Sequence, residues 1–215
     1  MATSTAQRTG IWIIAIVLTV GTLAGFIAMI LAPANEKADS DRLQKVYAQY
    51  QAATEEYQKK VQAQADELSV KYYGEFVKYK DTPAAFEAKD IKKVTTRDLV
   101  VGTGEEIKEG TTYSAYYIGW NPKGKVFDQS IDGEKLKAPI EGGNLITGWN
   151  EGVIGMKVGG VRELTIPSDK AYGETGSGED IPANTPIKFI VMIIPKPETI
   201  KQPEVPQEIL QSYGG

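Results

Sequence analysis

The chain has 215 residues, 41% of them hydrophobic and 24% charged, and a formal net charge of −4. That length allows one domain with extensions or two small domains, and the acidic balance offers no basic field for phosphates, so nucleic acid is not an expected partner. Histidine and cysteine are both absent, which excludes a Ser-His-Asp triad, a thiolate nucleophile or zinc site, an imidazole proton shuttle and any disulfide.

Residues 1–10 form a short leading segment carrying Arg8, and residues 11–32 read IWIIAIVLTVGTLAGFIAMILA without a charge. As a helix this run spans about 33 Å, enough to cross a hydrocarbon core of about 30 Å. A cleaved secretory signal is the rival reading, because Ala32-Pro33-Ala34 resembles a small-residue cleavage site. The apolar run is about twice as long as such signals need. The reading is a single-pass signal anchor. Charge flanking favours the N-terminus inside and the rest of the chain outside the cytoplasm.

Residues 33–83 read as a helical stalk. Leu43, Val46, Tyr50, Ala53, Tyr57, Val61, Ala65, Leu68, Tyr72, Phe76 and Tyr79 recur at steps of three and four, with Lys, Glu and Gln between them. Such a helix is a solvated spacer, a segment folded back on the domain, or half of a coiled coil. Thr54, Gln64 and several tyrosines make a poor seam, so self-association through the stalk is expected to be weak.

After Pro83 the composition changes. Residues 84–93 are a linker, 94–196 a globular domain, and 197–215 a proline-containing flexible tail. Sixteen of the 22 glycines fall between 94 and 196, where they punctuate strand-like runs. Residues 112–118 are rich in β-formers, 161–166 alternate as a strand with one wet face, and 187–194 form a longer strand ended by Pro195. Residues 148–156 make a short helix with Trp149, Val153 and Met156 on one face. The fold class is α+β, an antiparallel sheet wrapped around one short helix.

Three chemical signals fail on inspection. Asp128 to Gly133 opens like a calcium loop, but its twelfth position is Pro139. Gly102-Thr103-Gly104 is followed by Glu105-Glu106, which would repel a pyrophosphate. No two carboxylates stand apart as a glycosidase pair. What remains is a set of aromatic residues, several of them near glycines: Tyr117 ahead of Gly119, Phe127 beside Asp128, Trp149 after Gly148, Tyr172 before Gly173, and Phe189. No metal or cofactor is called for.

Tyr117-Ile118-Gly119, Val126-Phe127-Asp128, Ile146 to Gly152, Gly155-Met156-Lys157-Val158-Gly159, Ala171-Tyr172-Gly173 and Ile181 to Phe189 stand in order. Over about residues 94–196 this series resembles the FKBP-type peptidyl-prolyl isomerases. The resemblance implies an FKBP-like fold and a shallow pocket. Trp149 would be the floor and Tyr117, Phe127 and Phe189 the walls, while Leu136, Leu145, Ile146 and Ile181 would contact substrate. The Ile146 N–H and the Tyr172 hydroxyl would bond the peptide, and Asp128 would orient the Tyr117 hydroxyl. Leu136 would replace the family's pocket-edge phenylalanine, Ser177 a position that is often histidine, and Asp180 a commonly apolar residue.

The implied activity is rotation about X-Pro bonds in proline-containing polypeptides, a rotamase that assists folding outside the cytoplasm. The alternatives are a tethered, non-catalytic chaperone module that binds proline-containing segments, and a structural protein whose stalk pairing is the function.

Overall fold

A computed structural model describes residues 36–212 other than Asp90 and Asn144. The expected anchor at 11–32 lies outside the described residues, and among the described residues no helix is long and apolar enough to cross a membrane. The chain divides into two compact units, one made of residues up to Val61 together with Ile200 onward, the other of Gln62–Thr199.

The helix α1, Glu36–Phe76, runs for 41 residues, or about 61 Å, and ends in a 3₁₀ turn, Val77–Tyr79. Its near-absence of glycine and proline explains the length. In the first unit the C-terminal residues pack against the α1 portion, correcting the expectation of an extended, mobile tail. They form a short helix, α3 (Gln207–Gln211), whose Ile209 is buried. Arg42 pairs with Glu208 at 3.3 Å, and the hydroxyls of Tyr47 and Ser212 lie 3.3 Å apart. One buried isoleucine anchors a segment that composition alone reads as solvated.

The second unit is built on an antiparallel sheet. Its strands are β1 (Thr95–Val100), β2 (Ser114–Trp120), β3 (Val126–Gln129), β6 (Ile140–Glu141), β7 (Val161–Ile166) and β8 (Ile187–Ile194). The order is β1-β7-β8-β2-β3, with β6 also paired to β2, and β4 (Ile131–Asp132) and β5 (Lys135–Leu136) form a separate small hairpin. The helix α2, Thr147–Val153, lies on one face of the sheet. Close approach requires glycine: a Cβ on Gly148 would stand 2.2 Å from Ile166 Cγ2.

Successive residues of a strand face opposite ways, and β2 and β8 are apolar on both sides. Ala115, Ile187, Phe189, Val191 and Ile193 join Trp149 and Val153 in one core. Tyr116, Ile118, Trp120, Ile190, Met192 and Ile194 form a second core on the opposite face, with Phe76 fully buried among them and Leu68 and Tyr72 packed alongside. The stalk boundary at 83 is therefore displaced: from Gln62 onward α1 belongs to the same compact unit as the sheet. Of the three readings of the stalk, the folded-back helix describes this half.

The wet face expected on 161–166 is also corrected. Arg162 is only 9% exposed. It pairs with Asp98 on β1 at 2.5 Å and donates to the carbonyls of Gly152 and Ile154 at 2.9 and 3.0 Å. Those carbonyls lie at and just past the C-terminus of α2, where helical partners run out.

Candidate active site

Tyr117, Phe127, Trp149 and Phe189 come from β2, β3, α2 and β8, and their rings meet. Trp149 and Phe189 have centroids 5.1 Å apart at 75°, Phe127 and Phe189 5.6 Å at 86°, and Tyr117 and Trp149 5.7 Å at 84°. Edge-to-face contacts of this kind set the positive ring edge against a negative face. Two features of the strands make the meeting possible. A shift in β2–β3 register pairs Gly119 with Asp128 and Trp120 with Val126, leaving Phe127 unpaired between them. Such a bulge re-aims a side chain, so the consecutive residues Phe127 and Asp128 both reach the Trp149 side. Gly119 leaves room for the rings, since a Cβ there would lie 2.5 Å from Phe189 and 2.7 Å from Phe127.

Trp149 and Phe189 are buried, at 2% and 5% exposure, while Tyr117, Phe127, Tyr172, Leu145 and Ile146 are half-buried against the same core. The apolar group is thus closed underneath and partly open above. Its polar atoms are few. The Tyr117 hydroxyl donates to Asp128 Oδ2, and Asp128 Oδ1 accepts the Gln129 N–H at 2.8 Å. Burial, together with the adjacent Asp128 carboxylate, pushes the Tyr117 phenol far above the usual tyrosine range. Burial and the same carboxylate raise Tyr172 as well. Both phenols are held neutral at physiological pH.

Ile181 is buried in this core, and its carbonyl accepts the Ser177 N–H at 2.7 Å. Asp180 is not a free rim charge. Lys125 on the β2–β3 turn bonds its carboxylate at 2.5 Å, and Asn121 Nδ2 donates to its carbonyl at 2.8 Å. Leu136 does not join the others: it is 3% exposed and sits in the second core, on the face of the sheet that α1 covers. The expected pocket-edge contact at Leu136 is therefore corrected. Ile140 on β6, not singled out by the sequence, packs half-buried against the aromatic core.

Two further residues escaped the sequence reading. Tyr113, just before β2, accepts the Trp149 indole N–H at 3.1 Å and satisfies the one polar atom of the buried ring. Asn150 donates to the carbonyls of Leu145 and Gly143 at 3.2 and 3.3 Å, holding the segment that leads into α2. The only available signal was that a buried Trp needs an acceptor.

Residues 103–194 match the family model of the FKBP-type peptidyl-prolyl cis-trans isomerase. An FK506-binding protein of Neisseria meningitidis serogroup A is 41% identical over 98 residues, which are 45% of this chain and 90% of that protein. The chain belongs to the FKBP-type isomerase family. Longer relatives include FK506-binding protein 4 of Gibberella zeae, 41% identical over 115 residues, or 54% of this chain and 23% of that protein. The 39 kDa FK506-binding nuclear protein of Drosophila melanogaster is 45% identical over 95 residues, 44% of this chain and 27% of that protein. The chain thus spans about a quarter of the length of these two relatives. The family segment excludes α1, the linker and the tail.

Proposed function

We propose that the chain is a peptidyl-prolyl cis–trans isomerase that accelerates rotation about X-Pro bonds in an apolar aromatic pocket. The convergence of Tyr117, Phe127, Trp149 and Phe189 from four separate elements supports this reading above all. Rotation about an amide faces a barrier of about 18–20 kcal/mol, whereas cis and trans X-Pro forms differ by only about 0.5–1 kcal/mol. A catalyst must therefore lower the barrier and can leave the equilibrium alone. The twisted amide has lost resonance and is less dipolar than the planar one, so a pocket that excludes water favours it relative to the planar form. Donors such as the Ile146 N–H and the Tyr172 hydroxyl would hold the peptide in the twisted geometry. No proton leaves the protein and no covalent intermediate forms, which suits a chain without histidine or cysteine.

The role of Asp128 in this scheme is to take the Tyr117 hydroxyl proton as a hydrogen bond, turning that hydroxyl away from competing partners. Trp149 would be the floor, Phe127 and Phe189 the walls, and Leu145, Ile146 and Ile181 the rim. The reading extends to location: residues 11–32 anchor the protein in a membrane, with the isomerase unit outside the cytoplasm, where slow prolyl rotation limits the folding of exported chains. A weakened rim would favour the non-catalytic alternative, but Leu136 lies on the other face of the sheet and Asp180 is paired with Lys125.

Magnetisation-transfer spectra on X-Pro peptides test the activity. The full chain should raise the cis–trans exchange rate at catalytic ratios; binding without acceleration would leave only the chaperone reading. Protease protection of intact membrane vesicles tests the topology, since cleavage of the domain from the cytoplasmic side would refute it.

A further inference from the structure

Ser69 lies on α1, well before the family-matched segment, and is 5% exposed. Its Oγ accepts the backbone N–H of Leu136 at 2.7 Å in a buried bond spanning 67 residues. A buried amide left without a partner is costly, so this hydroxyl is what permits the β4–β5 hairpin to end where it does. The next residue, Lys137, donates its N–H to the Ser130 carbonyl at 2.8 Å. Ser130 is 3% exposed and is bonded twice to Tyr117: its Oγ accepts the Tyr117 N–H at 2.9 Å, and its own N–H donates to the Tyr117 carbonyl at 2.8 Å. The Lys137 ammonium bonds the Gln129 carbonyl at 2.9 Å and lies 4.0 Å from Asp128 Oδ1.

An unbroken series of hydrogen bonds and single peptide steps thus runs from the stalk helix to both members of the Tyr117–Asp128 pair. Tyr73 adds a second tie, its hydroxyl donating to the Gly133 carbonyl at 3.4 Å.

We propose that Ser69 is a positioning residue for the site: it acts through the Leu136–Lys137–Ser130 link to hold Tyr117 and Asp128 in register. The stalk is then part of the catalytic unit as well as a spacer. The proposal rests on the isomerase reading, but the pair it concerns is observable without turnover.

The test uses the full chain and three substitutions. Ser69→Val removes the acceptor, Ser69→Thr keeps it in a side chain of the same shape and volume as valine, and Leu68→Ala thins the same apolar contact while leaving the hydroxyl in place. Two readouts are taken: steady-state isomerisation of an X-Pro peptide, and the downfield resonance of the Tyr117 hydroxyl proton, assigned by its loss in Tyr117→Phe. Ser69→Val should lower kcat about tenfold with KM changed less than about threefold, as a misplaced reacting geometry does, and should shift or broaden the hydroxyl resonance. Ser69→Thr should restore both. Leu68→Ala should lower Tm and leave both unchanged in the folded protein.

Equal effects of Ser69→Val and Leu68→Ala would reduce Ser69 to packing and overturn the proposal, as would an unmoved resonance in Ser69→Val. If the wild-type chain failed to accelerate exchange, the isomerase reading would fall, and the resonance would still decide whether Ser69 positions the pair.

Discussion

Tyr116 and Tyr117 are neighbours in β2 and face opposite cores. The Tyr117 hydroxyl is bonded to Asp128, its ring is half-buried, and it stands among residues from four elements. The Tyr116 side is fully buried beneath α1, with Phe76 at 6.1 Å and Tyr72 at 6.1 Å between ring centroids, and its buried hydroxyl has no hydrogen-bond partner among the described residues. Burial raises the Tyr116 phenol as well, with the Tyr72 hydroxyl a lesser cause. The same residue type, one position apart, thus contributes area on one face and a placed polar atom on the other. The sheet has one face sealed by α1 and one left partly open.

Removing the seal should have the largest effect. A fragment of residues 94–196 would expose Tyr116, Ile118, Ile190, Met192 and Ile194 together, an apolar face that soluble monomers do not leave open. It should show no cooperative unfolding transition, whereas a fragment of residues 62–199 should show one in urea monitored by tryptophan fluorescence. Stable, monomeric 94–196 would mean that α1 is no part of the fold.

Single truncations sharpen the contrast. Phe76→Ala should cost about 3–5 kcal/mol in urea unfolding while the folded protein keeps its kcat/KM within about twofold. Phe127→Ala, on the open face, should lower kcat/KM about tenfold, equal to about 1.4 kcal/mol of transition-state stabilisation. Matched losses of activity and stability in both variants would abolish the division of labour.

The tyrosine pair predicts a smaller difference of opposite sign. Tyr117→Phe removes a bonded hydroxyl and strands Asp128, and should destabilise by about 1–2 kcal/mol with slower exchange. Tyr116→Phe removes an unpartnered hydroxyl and should be neutral or stabilising by up to about 1 kcal/mol.

The weakest effect concerns pH. Tyr117 and Tyr172 are raised above the ordinary tyrosine value of about 10. Below that value both folded and unfolded chains keep these phenols neutral, so their contribution to stability is constant. It is lost as pH rises from about 10 towards the folded values. Isomerisation by the folded protein should therefore stay flat from about pH 6 to 10, with stability falling only beyond. A rate that follows a titration near pH 7 would count against a site whose only placed polar atoms are these phenols and the Asp128 carboxylate.

Much of the site was legible because its residues sit in short motifs whose backbone context is local. Trp149 in a short helix, Gly119 two residues after Tyr117 in one strand, and the long 187–194 strand all appear where periodicity and glycine placement put them. Leu136 was misplaced because assignment to a sheet face depends on register, and one bulge or hairpin inverts it. Here the β4–β5 hairpin, tied to Ser69, sends Leu136 to the far side. Arg162 and Asp180 looked like surface charges because their partners, Asp98 and Lys125, lie 64 and 55 residues away.

The amino-acid order alone determined most of the element types and the absence of histidine and cysteine chemistry, because propensity, period and residue inventory are local properties. It also determined that two strands would be apolar on both faces. Which cover each face receives was decided only in three dimensions. Helical periodicity in α1 is equally compatible with water, a second copy or the sheet. The choice is made by the free energy of covering Tyr116, Ile118 and Ile190, a sum over residues scattered along the chain.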